Sequence, residues 1–174
     1  MERNKKDDYY FWKMLKMQQI NYKFFLKIIL LLLFFLKPSL AEIIKPSKDI
    51  DPGQVIKIQL SALMKNDNPY KDRGIIQTWE FAHPNNQKIT GPLERFKNMI
   101  KTESYSMLLN HSNHEILEVY MSSKIATFEI TVLDNKKKYY KFKWQVEKYD
   151  REGQLKNCWL TTAVSQPIPL GSSI

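Results

Sequence analysis

The sequence predicts an α+β domain in which three N-terminal helices pack on one face of a curved antiparallel sheet of about four strands. Apolar residues recur at helical spacing between residues 51 and 100, and from Glu115 onward the apolar period changes to two. Turn signals at Asp134-Asn135 and Glu152-Gly153 then cut the second half into short strands.

The first helix is predicted within "DPGQVIKIQLSALMKND". Asp51 precedes Pro52 at the first helical position and Gln54 stands three residues after it, a capping box for the amides a helix start leaves without partners. Val55, Ile58, Leu60, Ala62 and Leu63 supply a wide apolar face, and Asn66-Asp67-Asn68-Pro69 ends it. The second runs from Asp72, with Ile75, Ile76, Trp79 and Ala82 on one side, and ends near His83 because Pro84 disfavours helical backbone before it. The third begins at Pro92 in "ITGPLERFKNMI": Thr90 or Gly91 can cap it, Glu94 suits the positive end of the helix dipole, and Leu93, Phe96 and Ile100 share a face. A phosphate-binding loop would need more glycines and a strand before it.

The strands are predicted in "EILEVYMSS", "KIATFEITVLD", "KYYKFKWQVEKYD" and "NCWLTTAVS". In the second, Ala126, Phe128, Ile130 and Val132 oppose Thr127, Glu129 and Thr131; in the third, Tyr140, Phe142, Trp144 and Val146 oppose Tyr139, Lys141, Lys143 and Glu147. One face is apolar and the other wet, the pattern of an antiparallel sheet covered on one side. The same alternation separates the lysines of "KKKYYKFKWQ" from its aromatics, so the segment lacks the shared face that gripping single-stranded nucleic acid requires.

Residues 1–41 have the parts of an export signal: Lys13, Lys16 and Lys23 lead, the apolar run Phe24 to Leu36 is broken only by Lys27, and Ser39-Leu40-Ala41 offers small residues for cleavage. The run is shorter than the roughly 20 residues a membrane-spanning helix needs. The expected product is therefore exported to a periplasm, thylakoid lumen or extracellular space, the alternative being an anchor at residues 24–36. Residues 42–50 read as a tether, 51–166 as one domain and 167–174 as a tail. The net charge of +9 is concentrated in the leader, which removes the compositional argument for a nucleic-acid partner. Cys158 is the single cysteine, so no internal disulfide forms, and it reads as structural.

The ordered set "IQLSALMKND", "GIIQTWEFAHP", "TGPLERFKNMI" and "CWLTTAV" resembles a family of unknown function found in bacteria and photosynthetic lineages, with a T-G-P-L-x-R-F signature. His83 departs from the Ser expected before Pro84. The order of elements resembles the cone-shaped nuclear-transport-factor-2-like, or SnoaL-like, fold, also described as cystatin-like. The resemblance implies a pocket between sheet and helices and, through the open sheet face, a homodimer; it carries over no catalytic residue.

The pocket is expected to be lined by Trp79, Phe96, Phe128, Tyr140, Phe142 and Trp144, with Asp72, His83 and Arg95 at a polar mouth. An aromatic inner face without a convergent acid, base or nucleophile points to binding of a small apolar ligand or a protein partner, without cofactor or metal. The alternatives are a small hydrolase or isomerase using His83, Asp72 or Tyr140, and an accessory subunit of a membrane-associated assembly. His111, His114 and Glu115 in "NHSNHEIL" read as a loop with surface histidines, and Asn110 opens a glycosylation sequon.

Overall fold

In a computed structural model, which describes residues 9–10, 12–14, 22, 24–28 and 42–172, helix α1 (Pro52–Met64) begins as its sequence dictates. The Asp51 carboxylate accepts from the Gln54 amide at 2.7 Å while the Gln54 side chain accepts from the Asp51 N–H at 3.0 Å, completing the capping box. Helix α2 (Arg73–Glu80) follows, and then the sequence expectation needs correcting. A further helix, α3 (Pro84–Thr90), stands before α4 (Leu93–Ile100), and a 3-10 turn spans Ser106–Leu108. Proline ends one helix and starts another: Pro84 occupies the first position of α3, and the His83 ring accepts from the Asn85 N–H at 3.1 Å. Thr90 is thus the last residue of α3 and caps nothing.

The strands are β1 (Asn113–Met121), β2 (Ile125–Leu133), β3 (Lys138–Lys148), β4 (Trp159–Val164) and β5 (Ile168–Ser172), all paired antiparallel. They lie in the order β1-β2-β3-β4, and β5 also pairs with β3. The edge of β3 is shared, since Trp144–Lys148 meets β4 and Lys138–Lys141 meets β5. The segment expected as a tail therefore contributes a fifth strand. Every β5 side chain is exposed, so backbone pairing holds the strand and no apolar alternation announces it.

The predicted alternation holds in β2 and β3: Ala126, Phe128, Ile130, Val132, Phe142, Trp144 and Val146 are buried with Val55, Ile56, Leu60 and Leu63 of α1. A clip fastens the helices to the sheet edge, where the Thr161 N–H donates to Phe81 O at 2.7 Å and the His83 N–H donates to Thr161 O at 2.8 Å. The expected tether is instead strapped to α2. Gln77, only 1 % exposed, accepts from the Ile44 N–H and donates to Ile44 O, both at 2.8 Å, while Lys45 pairs with Glu80 at 2.7 Å.

The chain divides into two compact units, residues 1–40 and 41–174. In the first, the described residues are helical, and among the described residues no helix is long and apolar enough to cross a membrane. Residues 29–36 of the expected apolar run, and the expected cleavage site at Ser39-Leu40-Ala41, lie outside the described residues.

Candidate functional site

A cavity of about 120 Å³ lies between the helices and the inner face of the sheet. Gln59 and Leu63 of α1, Thr78 of α2, Asn86 and Thr90 of α3 and Phe96, Met99 and Ile100 of α4 line it on the helical side. Ala82, Tyr105 and Leu108 add to that wall, and Trp144, Thr161 and Val164 form the sheet side. Its inner end is a continuous chain of hydrogen bonds. The Trp144 indole N–H donates to Thr161 Oγ1 at 3.3 Å, Thr161 Oγ1 donates to Gln59 Oε1 at 2.7 Å, and Gln59 Nε2 donates to Thr78 O at 3.0 Å. These are fully buried groups, so pairing them avoids the penalty of an orphaned polar atom.

Of the six expected pocket aromatics, Phe96 and Trp144 line this cavity. Trp79 packs behind Phe96, the ring centroids 5.0 Å apart, and reaches that place because position 91 is glycine: a Cβ there would lie 2.8 Å from the Trp79 ring and 2.5 Å from Gln87 O. Phe128 and Phe142 are core, and Tyr140 packs against the core half-buried; none of the three lines the cavity.

The expected polar mouth is not where the sequence placed it. Asp72 takes left-handed backbone (φ 63°), makes no side-chain cap and pairs with Lys101 at 2.7 Å. His83 caps α3 and faces the Tyr149 ring at 5.4 Å, while Arg95 is exposed. Asp72 and His83 are the residues that precede α2 and α3, and none of the three lines the cavity. The half-buried lining residues instead are Asn86, Thr90, Met99, Tyr105 and Val164, and they form the open side of the cavity. Asn86 could not be found from the sequence because α3 buries no residue and so shows no periodicity. Among the described residues the lining contains no His, Cys, Asp, Glu, Lys or Arg, and Tyr105 is its one titratable group, its hydroxyl pushed above the usual phenol range by burial. Such a surface can exclude water, pack against carbon and offer neutral hydrogen bonds. Burial also pushes the Cys158 thiol up, away from the reactive thiolate.

The two histidines expected at the surface form a packed pair. His111 is 2 % exposed, its Nδ1–H donates to Leu108 O at 2.7 Å, and its Nε2 accepts from His114 Nδ1 at 2.7 Å. Asn110 holds the loop in left-handed backbone (φ 52°), with its amide bonded to Asp67 Oδ2 and the Asn66 N–H, each at 3.1 Å. The sequon's acceptor nitrogen is therefore hydrogen-bonded to a carboxylate at the surface. No group of three or more His, Cys, Asp or Glu side chains is placed to hold a metal among the described residues.

Burial lowers the pKa of both histidines and of His83. A lowered folded pKa means that the unfolded chain takes up protons first as pH falls below about 6.5. Stability is then full above that pH and declines beneath it. Asp67, held below the usual carboxylate range by the Asp72 N–H, loses its contribution only lower, beneath about pH 4. The urea midpoint is expected to be lower at pH 5 than at pH 7.5, and His111→Gln should flatten that difference; a midpoint equal or higher at pH 5 contradicts the assignment.

Residues 46–167 match the model of a family described as a domain of unknown function, DUF4864. No curated protein and no solved structure matches the chain.

Proposed function

Because the chain belongs to the DUF4864 family, whose description assigns no activity, and because among the described residues its helix-to-sheet cavity is lined without a charged side chain, we propose that it is a non-catalytic binding domain for a small apolar group. The observation that carries the proposal is the lining itself. A general base or nucleophile must stand within hydrogen-bond reach of the reacting atom, and the groups at this inner end are an amide, a hydroxyl and an indole already bonded to one another. His83, Asp72 and Tyr140, the residues a hydrolase or isomerase would draw on, share no hydrogen bond among the described residues. The likeness to the nuclear-transport-factor-2-like cone rests on the order of helices then antiparallel strands, and it adds the expectation of a pocket on the covered face.

Toluene is the probe of choice, since an apolar cavity of about 150 Å³ admits benzene. Added to the full chain, it is expected to shift the NMR resonances of Phe96, Leu108 and the Trp144 indole. Val164→Phe, which places a ring at the open side, should abolish the shifts while leaving the unfolding free energy, measured by urea denaturation, within about 1 kcal/mol of the parent. Unchanged resonances at saturating toluene reject the binding role.

Export is proposed on the basic lead, the apolar run and Ser39-Leu40-Ala41. A protein-facing role is favoured by the outer sheet face, where Leu117, Tyr120 and Ile168 are each more than half exposed around the Lys141–Glu129 ion pair. That face mixes both charges, which suits a second copy of the chain better than an anionic membrane. Native mass spectrometry of protein from its own host is expected to show a chain starting at Glu42 and associated as a dimer. An unprocessed N-terminus rejects cleavage, and a monomer rejects self-association.

A further inference from the structure

We infer that the cavity takes a neutral molecule of about one ring, or a branched chain of that size, whose single hydroxyl or carbonyl is bound at the mouth by Asn86 and Tyr105. The inference rests on the binding role proposed above and narrows it to a chemical class. Size sets the first limit. At about 120 Å³ the space falls below the roughly 300 Å³ at which drug-sized pockets begin and near the volume that holds benzene.

Charge sets the second. No cation or anion lines the cavity among the described residues, so a carboxylate, phosphate or ammonium would enter an apolar site without a counter-charge, which costs far more than a neutral group does.

The third limit is where hydrogen-bonding capacity remains. At the inner end Gln59, Thr161 and Trp144 already serve one another, so that end presents carbon and saturated polar atoms to a ligand. At the mouth, Asn86 makes one long side-chain bond, Nδ2 to Thr161 O at 3.4 Å, and its Oδ1 has no partner among the described residues. The Tyr105 oxygen accepts from Gln166 Nε2 at 3.2 Å, and its own O–H has no acceptor there. One free acceptor and one free donor therefore flank the opening, a match for a hydroxyl or carbonyl carried on an apolar body. Burial keeps the Tyr105 proton in place across the neutral range.

The test titrates the full chain at neutral pH with toluene, phenol and benzoate, following the Trp144 indole and the Leu108 methyl resonances by NMR. Phenol is expected to bind about fivefold more tightly than toluene, the ratio that one net hydrogen bond supplies. Benzoate is expected to leave the spectrum unchanged. Tyr105→Phe, a conservative change, and Asn86→Leu should each reduce the phenol advantage while toluene binding persists. If toluene and phenol both fail to bind, the underlying binding role is rejected. If toluene binds but phenol gains nothing, or benzoate binds as well as phenol, the class is wrong and the binding role stands. The ligand comparison needs no variant, so a substitution that unfolds the chain does not decide the outcome.

Discussion

Gly74→Ala is expected to cost about 3 kcal/mol or more, a large share of the stability a domain of this size has at ambient temperature. At this point α2 crosses α1 with backbone against backbone, the Gly74 N–H donating to Asn66 O at 2.9 Å. A Cβ added at Gly74 would stand 2.2 Å from Ala62 O, 2.7 Å from Ala62 C and 2.9 Å from the Asn66 Cα. All three are main-chain atoms, so no rotamer change relieves the overlap and the helices must separate. Separation would pull Ile75 from the core and Thr78 from the cavity wall. Gly53→Ala is the control: its nearest neighbour would be the Asp51 carboxylate at 3.3 Å, at an exposed helix start, and the expected change is within about 1 kcal/mol. Urea denaturation followed by circular dichroism measures both, and a Gly74→Ala protein within 1 kcal/mol of the parent contradicts this account of the crossing.

Thr161→Val is expected to be the second most damaging, at about 2–4 kcal/mol, although shape and volume hardly change. The hydroxyl joins Gln59, 0 % exposed, to Trp144, 1 % exposed. Its removal orphans a buried amide oxygen and a buried indole N–H, each costing about 1–3 kcal/mol when left unpaired. The two losses share one cause, so they should couple. Trp144→Phe is expected to destabilise the Thr161→Val protein less than the parent, because the indole N–H has already lost its acceptor. Additive costs in the four-protein cycle would show that the three side chains do not act as a unit.

What the sequence made legible was local or periodic. The α1 capping box needs only Asp51, Pro52 and Gln54 in order, and the buried stripes of β2 and β3 follow from period two. Helix α3 and strand β5 escaped because neither buries a residue, so neither prints a period on the chain. Asn86 went unseen with α3. Phe96 and Trp144 were found because they sit on apolar faces, whereas the Gln59–Thr161 bond joins residues 102 positions apart and exists only once α1 and β4 have met. His111 looked like a surface residue because nothing in "NHSNH" shows that Asn110 turns the loop inward through left-handed backbone.

The account depends on one physical claim, that the space enclosed by α1, α3, α4 and the sheet is a neutral apolar compartment open to small guests. A crystal of the full chain held under xenon pressure tests it most directly, since xenon enters dry apolar cavities and leaves polar, water-filled ones. The expected result is xenon among Leu63, Phe96, Leu108 and Trp144, with the Gln59–Thr161 bond unbroken. A chain of ordered waters in that space, with xenon only on the outer sheet face beside Tyr120 and Ile168, would contradict it.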